Sequence, residues 1–223
     1  MQSLSTRLGY GAALLGVLSF AVYIVCFAAI LATGPLFLWT DFDAYLVYVQ
    51  QYHSFWPELG RFTMIVFGLC FVVVLAVVEE RTAPERQILA RLGLLFALAA
   101  VTLFGGFYFV QISAVRLNLM QGTVNGLEQV VQANPYSAFA ALNMMGWTIF
   151  LGLSSLCVAP VFRGGRLETV IRWAFVVNGV NCLVGAVGYI FDITLVVFLS
   201  MNLILGGALI TGMVGLALWM RRR

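Results

Sequence analysis

The chain has 223 residues, of which 62% are hydrophobic and 9% charged, against about 45–50% apolar and about 25% charged in soluble domains. A water-soluble fold of this size has no interior large enough for that excess, so the soluble, disordered, collagen-like and disulfide-stapled classes are excluded and an integral membrane protein remains. The net charge of +3 is scattered along the chain and forms no basic stripe, so no nucleic-acid partner is expected.

A helix that crosses a bilayer needs about 20 predominantly apolar residues. Six runs qualify, at about 8–31, 57–78, 92–115, 138–162, 173–191 and 195–220, and the whole chain, 1–223, reads as one membrane domain. The expected fold is an all-α, polytopic transmembrane bundle. The first run is longer than the 7–15-residue apolar core of a signal peptide and reads as a retained span.

The loops differ in character. Residues 35–57 carry Thr40 as a candidate helix cap, followed by Tyr45, Tyr48, Tyr52 and Phe55 at helical spacing. That pattern predicts a short amphipathic helix lying in the headgroup layer, its aromatics turned toward the bilayer as an anchor or, alternatively, a lid over an outer vestibule. Residues 117–137 contain Gly122 and Gly126, and Asn134-Pro135 is the expected start of the fourth span. With the N-terminus placed inside the cell, ten of the twelve arginines fall on the inner side. The positive-inside rule then predicts both termini cytoplasmic. The two halves of the chain share no pattern of the inverted-repeat kind.

Polar residues within apolar spans mark packing interfaces or function. Projected at 100° per residue, Ala174, Asn178, Asn181, Gly185, Gly188 and Asp192 of the fifth span fall within an arc of about 80°. Trp173, Val180, Val187 and Ile190 lie opposite. Other spans offer Gln111, Asn143 and Asn202, and a small-residue stripe at Gly207, Thr211 and Gly215. Two readings stand side by side: a close-packed seam, or a polar interior lined by Asn143, Asn178, Asn181, Asn202 and Gln111 that admits a small-molecule ligand. Arg116 and Asp192 come to the same outer level and are candidates for an ion pair there, with snorkelling of Arg116 as the alternative. The first and second spans, nearly all apolar, look peripheral.

Chemistry is limited by what is missing. Lysine is absent, which excludes a retinal or pyridoxal Schiff base. The single histidine, His53, excludes a bis-histidine haem site within the chain. Cys26, Cys70, Cys157 and Cys182 make no CxxC pair. No catalytic set, metal site or cofactor is expected.

The run from Tyr108 to Trp147 contains YFVQ (108–111), Val115-Arg116, Gly126-Leu127, QANP (132–135) and Ala141-Leu142 with Gly146. It resembles an uncharacterised family of bacterial six-span inner-membrane proteins, in which an acidic residue often stands where Asn143 stands here. The resemblance implies a bacterial inner-membrane location and six spans, and brings no activity with it. The functions left in view are a non-catalytic accessory or assembly subunit that contacts other membrane chains, a small-solute carrier or its membrane component, and a lipid-modifying enzyme.

Overall fold

The computed structural model describes residues 4–222, which form an all-α chain with six helices long and apolar enough to cross a bilayer. They are α1 (Leu4–Thr33), α3 (Trp56–Arg81), α4 (Pro84–Gln121), α5 (Ala138–Val161), α6 (Arg166–Ile190) and α7 (Thr194–Arg222), with a short helix, α2 (Phe42–Gln51), in the loop after α1. The chain is a multi-pass membrane protein in contact with lipid.

The helices extend past the apolar runs because hydropathy marks the hydrocarbon layer whereas backbone hydrogen bonding continues until a cap ends it. At α4 this gives 38 residues, about 57 Å of helix. Pro84 opens it, where the missing N–H costs nothing. Gly122, with φ +70°, closes it by letting Thr123 N–H donate to the Asn118 carbonyl. The fourth span begins at Ala138, where its apolar run begins, because the Ser137 hydroxyl caps it by accepting from Ala140 N–H at 3.0 Å, and Asn134-Pro135 lies in the turn before it. Likewise Asp41, not Thr40, caps α2, accepting from Ala44 N–H at 2.8 Å.

The six spans form a closed ring in chain order. Each packs on the next, and α7 returns to α1. In lipid, helices associate through close packing and interhelical hydrogen bonds rather than through hydrophobic exclusion. The ring is accordingly filled by large side chains. Phe67 and Phe71 of α3, Phe104 of α4 and Phe175 of α6 are almost fully buried. Phe71 and Phe175 meet across the ring at 6.4 Å between centroids, and Phe162 stacks on Phe175 at 6.3 Å. The second span is therefore central, contrary to its expected peripheral place: one face of α3 supplies much of the core. An apolar composition alone does not separate a core-facing span from a lipid-facing one.

The two chain ends described, with Arg81, Arg86, Arg91, Arg163 and Arg166, lie at one end of the ring, and the two long loops lie at the other. At the arginine-rich end Arg81 donates to the Thr6 hydroxyl, and Arg91 pairs with Glu79 at 3.0 Å. At the opposite end α2 and a turn of 3₁₀ helix, Leu127–Gln129, pack together as a cap on α4, tied to α3 by a bond from Arg61 to Gln132.

Candidate functional site

The polar groups of the spans divide among several helix contacts. Asn178 is fully buried and its amide donates to the Ser155 hydroxyl of α5 at 2.8 Å. Beside this bond the α5 and α6 backbones come close at Gly152 and Gly179. A methyl group on Gly179 would lie 2.6 Å from Leu156 Cγ and 3.0 Å from the Gly152 carbonyl oxygen. The missing side chains bring Asn178 and Ser155 within reach of each other.

Asn181, one turn further along the same face, donates to the Ser200 carbonyl of α7 at 2.9 Å. Ser200 opens a π-helical turn, Ser200–Ile204, in which its carbonyl also accepts from Leu205 N–H. Two similar turns, Gln111–Val115 in α4 and Gly146–Phe150 in α5, lie in the same half of the bundle. Such one-turn widenings recur at functional positions in helices.

Gln111 serves the cap. Its side chain donates to the Val130 carbonyl at 2.6 Å and accepts from Gln132 N–H at 2.9 Å, gripping the loop as a neighbouring strand would. Arg61 Nε adds a bond to Gln132 Oε1 at 2.8 Å, and its Nη1 lies 3.6 Å from Glu58 Oε1. Asn143 is buried on α5, with an Oδ1 that accepts no hydrogen bond among the described residues. Asn202 is exposed and its amide turns back to the Phe198 carbonyl of its own helix at 3.0 Å. The five amides expected to share one interior are thus distributed over five separate environments. Helical spacing assigns each to a face but does not say which neighbour that face meets.

The ion pair between Arg116 and Asp192 does not form. Arg116 Nε donates to the Ile112 carbonyl of its own helix, and the side chain lies along Met120. Asp192 adopts φ +53° in the turn after α6, where its N–H donates to the Tyr189 carbonyl and the next N–H, of Ile193, donates to the Gly188 carbonyl at 2.7 Å. This is a left-handed helix stop, and Asp is one of the few side chains that tolerates the conformation.

The aromatics expected on one interfacial helix are also redirected, since α2 ends at Gln51, with Tyr52 as its C-cap and Phe55 as the N-cap of α3. Tyr45 is buried in the cap among Phe37, Trp39 and Phe42, against Val115, Leu127 and Val131. Tyr48 donates to the Pro35 carbonyl at 2.9 Å and contacts Tyr52, and only Phe55 is well exposed. The second long loop covers the face that the helical spacing assigns to lipid. Burial pushes the Tyr45 and Tyr48 phenols above their ordinary range, Tyr45 the more deeply packed.

The partners in three further features are set by the tertiary structure. Tyr108 and Trp147 are buried together, the indole N–H donating to the phenol oxygen at 3.1 Å, with Trp147 stacked on Phe104 at 4.1 Å. Ser154 donates to the Gly93 carbonyl at 2.7 Å. An apolar cleft of about 560 Å³ runs between α6 and the first part of α7, lined by Val177, Val180, Val184, Leu199 and Ile204 with Asn181 and Ser200. Ser154-Ser155 in an apolar run and the valine repeat of α6 were the available signals, but their partners depend on the tertiary packing. Among the described residues no three His, Cys, Asp or Glu side chains come together to hold a metal ion.

No family model, curated protein or solved structure matches this chain. The likeness read from residues 108–147 therefore supports a polytopic membrane protein and nothing finer.

Proposed function

We propose that this protein is a non-catalytic accessory or assembly subunit of a larger membrane complex, resident in a bacterial inner membrane with both termini and the arginine-rich end in the cytoplasm. The observation that carries the reading is how the buried polar groups are used. Asn178, Asn181, Ser154 and Gln111 each bind another part of the same chain, while Phe67, Phe71, Phe104 and Phe175 occupy the centre of the ring. A carrier needs amides that face a water-filled path, and that arrangement is not what these bonds describe. The outward faces are strongly apolar: Leu8, Leu15, Leu18 and Val25 of α1 and Leu195 and Leu203 of α7 are exposed. They suit lipid and other membrane chains alike.

The test is extraction in a mild detergent from the native host at native expression level, followed by identification of what travels with the protein. A defined set of membrane chains at fixed stoichiometry, lost when Leu15 and Leu18 are replaced by Trp, is the expected result. A monodisperse single chain that drives uptake of a solute into vesicles would replace this reading with the carrier.

A further inference from the structure

The cleft between α6 and α7 has the features of a ligand site. Its volume of about 560 Å³ falls within the range of roughly 300–1,000 Å³ usual for small-molecule pockets, which are mostly apolar with a few placed polar groups. Its depth follows from Asn181, which stands midway between Trp173 and Ile190, the ends of the apolar stretch of α6. The cleft therefore opens at the middle of the hydrocarbon layer.

Its two ends are closed. Toward the hairpin, α7 lies on the α6 glycines: a methyl on Gly185 would lie 2.7 Å from Met201 Cε, and one on Gly188 2.7 Å from Val196 Cγ1. Toward the arginine-rich end the roles reverse, with Ile171 over Gly215 and Phe175 over Gly212. Between Phe175 and Gly185, about 15 Å along α6, the π turn at Ser200–Ile204 carries α7 past its partner and leaves the gap. The gap is open sideways to lipid, with Val177, Val180 and Val184 about half exposed along it, and its length suits a small molecule of the lipid phase.

The floor holds two hydrogen-bonding groups without a partner among the described residues, Asn181 Oδ1 and the Ser200 hydroxyl. Asn181 is 7% exposed, and its Nδ2 must face the Ser200 carbonyl, which accepts only. Oδ1 therefore points away from Ser200, and it accepts no hydrogen bond among the described residues. The residue lines the cleft. An oxygen so placed recognises a donor, and in hydrocarbon the simplest donor is a hydroxyl group.

We propose that the cleft binds an apolar lipid-phase alcohol, its chain lying along Val177, Val180 and Val184 and its hydroxyl donating to Asn181 Oδ1. The test uses the purified full chain in phosphatidylcholine vesicles and two photoreactive probes: a diazirine-bearing hexadecanol and its methyl ether, which lacks the donor. Labelling of residues 176–204 is read by peptide mass spectrometry. The alcohol is expected to label this segment about fivefold more than the ether, as one neutral hydrogen bond gives. Val180→Trp fills the cleft from a half-exposed position and should abolish that labelling. Asn181→Leu should bring the alcohol down to the level of the ether. Because Asn181→Leu also deletes the Ser200 bond, Val180→Trp decides the matter if the Asn181 variant does not fold. Equal labelling by alcohol and ether, or labelling that persists in Val180→Trp, overturns the proposal. So does a Val180→Cys variant that cross-links to another protein chain in native membranes, since a protein would then occupy the gap.

Discussion

Asp192 shows how one residue type supports two opposite readings. As a carboxylate at the outer end of α6 it invites a pair with Arg116; as a residue at φ +53° it ends the helix. The two roles predict different outcomes. Replacement by Gly, which adopts the left-handed conformation freely, should leave thermal stability in detergent unchanged or slightly raised. Replacement by Ala should lower it by about 1 kcal/mol, and Arg116→Ala should be neutral. A loss of equal size in Asp192→Gly and Arg116→Ala would restore the ion pair. Asn178 and Gly179 present a related contrast. The Asn178–Ser155 bond should couple by only about 0.6 kcal/mol in a double-mutant cycle, the average for hydrogen bonds between membrane helices. Gly179→Leu drives a side chain into Leu156 and the Gly152 carbonyl, so it should collapse the yield of folded protein, read by size-exclusion profile. A normal profile would mean that α5 and α6 do not touch there.

At the scale of elements, the cap is the part built least like a membrane structure. It combines a ten-residue helix, a 3₁₀ turn and a loop held by Gln111 and Arg61. Its apolar centre is Tyr45, whose folded form favours the protonated phenol because burial penalises the charge. A raised folded value means that the stabilisation is complete below the unfolded tyrosine value of about 10 and is lost as pH climbs through the higher folded one. Limited proteolysis between residues 34 and 56 should therefore be slow at pH 8 and accelerate above about pH 10. The double variant Tyr45→Phe, Tyr48→Phe should move that onset to higher pH. An onset unchanged in the double variant would assign the alkaline opening to other groups. The π turn at Ser200–Ile204 belongs to this scale as well, since it widens α7 where the Asn181 amide meets the Ser200 carbonyl.

For the molecule as a whole, the ring of six spans has chemically distinct ends, and the proposed orientation rests on that difference. Single cysteines placed on a variant lacking Cys26, Cys70, Cys157 and Cys182 would report it in intact cells. Asp192→Cys at the α6–α7 turn should react with a membrane-impermeant maleimide added outside, and Arg86→Cys should react only after the membrane is opened. The reverse pattern would invert the topology and, with it, the side of the membrane on which the cap lies.

What could be read from residues alone follows a simple physical division. The number of spans was legible because the cost of polar groups in hydrocarbon acts on each segment independently, and so was the two-faced character of α6, because small and amide residues at helical spacing are a local pattern. The short helix in the first loop was visible for the same reason. The neighbours of each face were not visible. That α3 lies in the core, that Tyr45 turns toward the second loop, that Asn178, Asn181, Gln111 and Asn202 have separate partners, and that a cleft opens beside Asn181 all depend on how the six helices close into a ring. Sequence by itself determined which segments enter the membrane and that α6 has two unlike faces. Only the tertiary structure decided which faces meet, because helix packing is set by the fit of side chains far apart in the chain, and that fit leaves no periodic trace in either helix alone.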